Sequence, residues 1–144
     1  ALDRAGIAYE PVLVVQGQFD FDSGAAAARD LLDLAAPPTA IFASNDDMAA
    51  GVLAVAHRRG IAVPGALSVA GFDDTTLARV VWPPLTTIRQ PVRELAFTAT
   101  DILLRGDGAV EHQRLGHDLI IRDSTAPPAE RITTPVSTTR ITRP

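Results

Sequence analysis

The sequence predicts an α/β fold built on a parallel sheet, and three observations point there. Short apolar runs alternate with longer helical stretches, which is the rhythm of βαβ units. The runs are continuously apolar, as expected of strands covered on both faces. Acidic or amide residues follow each run, where a parallel sheet has its ligand-binding edge.

Taken in order, Val12-Leu13-Val14-Val15 is a β-branched run that predicts a buried strand. Ser23 to Ala35 is rich in Ala and Leu and predicts a helix, with Asp22 or Ser23 as N-cap and Pro37-Pro38 as its stop. Thr39 to Ala43 is a second strand, and Ser44-Asn45-Asp46-Asp47 is a turn able to cap the next helix. That helix runs to about Arg59, with Met48, Val52, Val55 and Ala56 on one face. Arg58 and Arg59 suit its C-terminal dipole, and Gly60 ends it. Leu67 to Phe72 is a third strand, followed by Asp73-Asp74.

The rhythm then changes. Thr75 to Val81 predicts a short helix, Trp82-Pro83-Pro84 a break, and Leu85 to Arg89 a strand. Pro91 opens another helix at its favoured first position, with Val92, Leu95, Ala96, Ala99, Ile102 and Leu103 at helical spacing up to Gly106. A polar connector leads to a last strand at Leu119-Ile120-Ile121. Composition turns Ser/Thr/Pro-rich from Ser124, and residues 127–144 are expected to form a disordered tail.

Hydrophobic residues make up 47% of the 144 residues and charged residues 21%, enough for one core of ordinary domain size. No apolar run approaches the roughly 20 residues of a membrane helix, so no membrane partner is expected. The absence of cysteine excludes disulfides, thiolate metal sites and cysteine nucleophiles. A net charge of −4 with no Lys/Arg cluster argues against this chain itself gripping nucleic acid, which needs basic contacts to phosphate.

Three loops leave predicted strand ends with carboxylates: Asp20 and Asp22, Asp46 and Asp47, Asp73 and Asp74. Asn45, Phe19 and Phe21 join them. Paired hydrogen-bonding groups beside an aromatic face suit a small hydroxyl-rich or nitrogen-rich ligand in a preformed cleft. A phosphate is poorly served, because no Gly-rich cradle or Lys follows a strand. Asp22, Ser23 and Asn45 are equally readable as helix caps, and Asp47 and Asp74 as solvated. The Asp20 to Gly24 stretch lacks the downstream Glu of a calcium loop, and no histidine pair has zinc spacing, so neither metal nor cofactor is expected. No Gly-x-Ser-x-Gly elbow accompanies the acids. An enzyme is therefore not expected, and a carboxylate-dependent hydrolase using Asp20, Asp46 and Asp73 ranks third among the readings.

Four stretches carry a more specific signal: Pro38 to Ala49; Val63-Pro64 followed by Leu67 to Asp74; Pro83 to Pro91; and Leu119 to Thr125. In this order and spacing, over about residues 1 to 128, they resemble the LacI–GalR family of bacterial transcription regulators. The resemblance implies a periplasmic-binding-protein-like (type I) core: two α/β lobes, three crossovers and an effector in the cleft between. It gives 1–75 and 116–124 to the C-terminal lobe and 85–105 to the N-terminal lobe, within a partial domain ending at 126. Asp74–Thr76 and Gly106–Gly108 become hinge candidates.

The resemblance also implies roles. Phe19 would stack on the effector, Asn45 and Asp73 would bind its polar groups, and Gln90 would reach it from the hinge side. Asp46 fits the same motif, as ligand group or structural support. Ala50, Val81 and Trp82 would lie at a homodimer interface, with core packing as the plain alternative. Gln18 stands where the family usually has Asp, and Phe21 is a second departure.

The expected function is the effector-sensing and dimerisation portion of a cytoplasmic LacI-type regulator. Its small-molecule effector would be a carbohydrate first, a nucleobase or nucleoside second. The helix-turn-helix head that reads operator DNA, most of the N-terminal lobe, the first strand of the C-terminal lobe and an effector-binding Arg would precede Ala1, making the chain a fragment. The alternative is a periplasmic sugar-binding protein of an ABC transporter, which would need a signal peptide.

Overall fold

The computed structural model describes residues 2–105 and 112–128. Two 3-10 turns, Asp3–Ala5 and Pro11–Leu13, precede α1 (Phe21–Leu32), β1 (Ala40–Phe42), α2 (Asp46–Arg58), β2 (Ser68–Asp73), α3 (Thr76–Val80), β3 (Thr86–Arg89), α4 (Val92–Arg105) and β4 (Asp118–Ile120). The four strands form one sheet in the order β1-β2-β3-β4. The first three are parallel, with Ile41 opposite Val69 and Gly71 opposite Thr87. β4 runs antiparallel to β3, Leu119 opposite Ile88. The chain is therefore α/β, as its sequence predicts.

The core lies between α1, α2 and one face of the sheet. Ala28, Leu31, Ile41, Val52, Leu53 and Val69 belong to a single buried cluster. α1 and α2 approach until backbone meets backbone. A Cβ on Gly51 would fall 2.6 Å from the amide nitrogen of Ala25, so only glycine permits this crossing. The N-cap of α1 is Asp20, whose side chain accepts from the Ser23 amide at 2.7 Å. That corrects the expected cap by two or three residues: the Ser23 hydroxyl is engaged elsewhere, with Gln18 N and Asp20 O.

Three further expectations are corrected. Val12 to Val15 is not a buried strand: Pro11–Leu13 is a 3-10 turn and all four side chains are exposed. Proline brings no N–H, and among the described residues no strand pairs with the run. Leu13, Val14 and Val15 instead border an apolar cavity of about 660 Å³ with Leu31, Ile41 and Val52. Second, the β1 edge of the sheet is covered on one face only, whereas Thr86 and Thr87 on opposite faces of β3 are both buried. Along β1, Ile41 is buried whereas Ala40 and Phe42 are exposed, because side chains alternate and the packed helices share one side. Third, 85–105 does not leave the sheet as a unit. β3 pairs with β2 from Ala70↔Thr86 to Asp73↔Arg89, and Thr87 is fastened to α2, so only α4 departs. No residue of α4 is buried. The Gly106–Gly108 hinge and residues 129–144 of the expected tail lie outside the described residues.

Candidate ligand-binding site

Because β1, β2 and β3 are parallel, the residues that follow them converge at one edge. These are Asn45 and Asp46 after β1, Asp73 and Asp74 at the end of β2, and Arg89 and Gln90 at the end of β3. Asn45 N-caps α2, its Oδ1 accepting from the Met48 amide at 2.9 Å. Its Nδ2 donates to the Phe19 carbonyl, also at 2.9 Å. One amide thus starts α2 and ties the Phe19 loop to the sheet edge. Phe19 has a left-handed backbone (φ 59°) and its side chain is open, 65% exposed. Next to it Asp20 is held below the ordinary carboxylate range, chiefly by the Ser23 backbone N–H and then by the Ser23 hydroxyl.

Asp46 departs from the ligand role. It is 0% exposed and both oxygens are engaged inside the fold. Oδ1 accepts from the Thr87 hydroxyl at 2.6 Å; Oδ2 accepts from the Thr75 amide at 2.7 Å and its hydroxyl at 3.0 Å. Gly71 completes this packing, since a Cβ there would stand 2.6 Å from Asp46 Oδ1. A buried carboxylate satisfied by three donors is a brace between α2, β3 and the segment after β2.

Asp73 and Gln90 meet directly: Gln90 Nε2 donates to Asp73 Oδ1 at 2.6 Å. Asp73 remains partly open to solvent. Its neighbour is the reverse of the solvated group the sequence suggests, for the Asp74 side chain is 1% exposed. Arg89 Nε donates to its Oδ2 at 2.7 Å, Arg79 approaches the same oxygen at 3.4 Å, and Arg122 holds Oδ1. Arg122 also donates to the Leu85 carbonyl at 2.7 Å. Burial alone would push the Asp74 carboxyl up. The hydrogen bonds and charges of Arg122 and Arg89 together outweigh it and hold the group below its ordinary value. Asp73 and Asp74 both have positive φ, 111° and 54°. Such conformations cost about 1–3 kcal/mol each for non-glycine residues and persist where the surroundings over-determine them.

The expected interface residues divide. Ala50 is 5% exposed within the single chain, held in α2. Val81 packs on the core from its edge, and Trp82 is 84% exposed. The residues that sequence reasoning missed are Thr75, Thr87, Arg89 and Arg122, all serving the two inner acids. One signal was available: an Asp-Asp pair ends one strand and an Arg-Gln pair ends the next. Among the described residues no group of three or more His, Asp or Glu could hold a metal, and no helix is long and apolar enough to cross a membrane.

A family profile described as a periplasmic binding protein-like domain matches residues 1–125. The HTH-type transcriptional repressor CytR of Escherichia coli K12 is 44% identical over 129 residues, covering 87% of this chain and 38% of the repressor. The chain therefore spans about two fifths of that relative. In a transcriptional regulator CelR–cellobiose complex the regulator aligns with a TM-score of 0.76 at 37% identity, over 85% of this chain and 39% of that one. A LacI family transcriptional regulator from Enterococcus faecium with bound ribose gives 0.75 at 33% identity, over 88% of this chain and 48% of that one. The chain belongs to the periplasmic binding protein-like domain family, in the form carried by LacI–GalR transcription regulators.

Proposed function

We propose that this chain is the effector-sensing and dimerisation portion of a cytoplasmic LacI-type transcription regulator, and that its strand-end edge binds a carbohydrate. The observation that carries this reading is the Asp73–Gln90 pair, a partly open carboxylate and amide joined at 2.6 Å. On the same edge Asn45 ties down the loop that bears the open ring of Phe19. A carboxylate accepts from sugar hydroxyls, an amide both donates and accepts, and an aromatic face covers the apolar side of a pyranose or furanose. Asn45 has a second N–H on Nδ2 for the same purpose. Asp46 supports from behind. The sugars in the CelR and Enterococcus faecium structures favour this ligand class.

The mechanism is a population shift. The sugar binds one arrangement of two lobes more tightly, and a homodimer passes that difference to an operator-reading head outside this chain. Trp82 and Val81, beside α3, are the dimer contacts; Ala50 supports α2 from within. The test is calorimetric titration of the full-length protein with D-ribose and cellobiose, alongside operator binding. Asp73→Ala is expected to weaken binding about 30-fold or more, the scale of a hydrogen bond to a charged group. Unchanged affinity would remove Asp73 from the site. Trp82→Arg is expected to shift the sedimenting species towards monomer, and an intact dimer would remove Trp82 from the interface.

A further inference from the structure

We propose that Asp74 is a positioning residue for ligand binding: gripped by three arginines, it fixes the turn that presents Asp73. The proposal rests on the reading of Asp73 as a ligand group and extends it to a residue that touches no ligand. Asp74 is 1% exposed, so its carboxylate is spent inside the chain. Its partners come from three separate places: Arg79 from α3, Arg89 from the end of β3, and Arg122 from the segment after β4. Thr87 Oγ1 lies 3.4 Å from the Asp74 amide and accepts from it.

The backbone explains why such a grip is needed here. Two consecutive non-glycine residues, Asp73 and Asp74, lie at positive φ. A turn of that kind relaxes unless side chains hold it. Asp73 accepts from Gln90, which is itself next to Arg89. The two strand ends are thus joined twice, Asp74 to Arg89 and Asp73 to Gln90. The first joint is charged, with Asp74 enclosed and Arg89 open to solvent on its outer side; the second faces the ligand edge. Release of the first lets the β2 end relax and takes the Asp73 carboxylate away from Gln90.

The experiment reads the Gln90 side-chain amide in the full-length protein, labelled with ¹⁵N-glutamine, by NMR well below the unfolding midpoint. In the parent the Gln90 NH₂ signal should be shifted and slow to exchange. In folded Asp74→Asn it should move to the free-amide position and exchange about tenfold faster, the effect of losing one ordinary hydrogen bond. Asp33→Asn breaks the exposed pair with Arg59 at the far end of α1 and should leave the signal alone. If Asp74→Asn does not fold, Arg89→Lys keeps the charge, loosens the grip and should shift Gln90 part-way. A folded Asp74→Asn or Arg89→Lys protein with the parent Gln90 signal overturns the proposal, because a merely structural Asp74 would lower stability without moving that amide. Ribose titration then separates the two readings. Failure of the parent to bind ribose counts against the sugar assignment while the Gln90 result still decides Asp74; equal ribose affinity in parent and folded Asp74→Asn overturns the positioning role.

Discussion

α2 and α4 are nearly the same length, 13 and 14 residues, and both carry an apolar stripe, yet one is the centre of the core and the other has no buried residue. The difference is not in local propensity. α4 contains Leu, Ala, Glu and Arg at many positions and an i,i+4 pair between Asp101 and Arg105. An exposed pair of that kind adds only about 0.3–0.5 kcal/mol. A helix of this length is marginal in water on propensity alone, and most helical stability in proteins comes from packing one face. α2 has that packing, between α1 and β2, and at its N-terminus it has Asn45 as cap and Asp46 as brace. Pattern makes a helix; a partner for the pattern makes it a stabilising one.

The largest expected effect is therefore in α2. Leu53→Ala should cost about 2–5 kcal/mol in urea unfolding, the range for emptying a buried leucine site. A cost near zero would mean that α2 is no better supported than α4. Next comes the helix crossing. Gly51→Ala would push a methyl against the backbone of α1 near Ala25, where no side chain can swing aside, and should cost about 1–3 kcal/mol. A neutral result would show that α1 and α2 can separate freely.

These two sites also show what was legible. The face of α2 bearing Met48, Val52, Val55 and Ala56 can be read from spacing, because a 3.6-residue period states which side is inward. The run Val12 to Val15 misleads for the opposite reason. β-branching says that a segment prefers to be extended, and whether it becomes a strand depends on a neighbour that local sequence does not name. The acids show the same division. Sequence placed Asn45, Asp46 and Asp73 at one sheet edge, the family resemblance added Gln90 from the hinge side, and the structure brings the four to that edge. Which acid of a doublet turns inward was legible only in part: Asp47 is solvated as expected, whereas the same expectation for Asp74 is reversed. Asp46 is buried and Asp47 exposed; Asp74 is enclosed and Asp73 partly open. The deciding partners, Thr87 and Arg122, stand 41 and 48 residues away along the chain. Phe42, on an apolar run that reads as buried, is exposed because none of the described elements packs on that face of β1.

Smaller effects test how α2 begins. Asn45→Ala removes the cap and the tether to Phe19, and should cost about 1 kcal/mol in stability. Asn45→Asp keeps an acceptor for the Met48 amide and loses the donor to Phe19, so it should recover most of that stability while leaving the loop free. Equal loss in both variants would put the whole effect on the tether. Acid then probes the neighbouring Asp74 clamp. Its carboxyl is held below the ordinary value of 3.8, so the ionised form is favoured in the folded state. Its contribution is complete above that value and is lost as pH falls through the lower folded pKa. Unfolding free energy followed from pH 7 to 5 should be flat for this group, and the difference between parent and Asp74→Asn should shrink only below about pH 4. A difference that disappears by pH 5 would place the clamp's titration elsewhere.

The smallest effect is the one that sharpens the comparison most. Leu103 is 80% exposed on α4, so Leu103→Ala in this chain should change stability by no more than about 0.5 kcal/mol, as for an ordinary surface site. Alanine also has the higher helix propensity, which offsets part of any loss. The same substitution in the longer regulator proposed above is the informative contrast. If the face of α4 is covered there, Leu103 becomes a core residue and the cost should rise to the 2–5 kcal/mol of Leu53→Ala. Measuring both proteins by urea unfolding turns one helix into its own control: sequence and propensity are identical, and only the packing partner differs. A cost that stays small in both would make α4 a solvent-facing helix whose apolar stripe serves something other than the core.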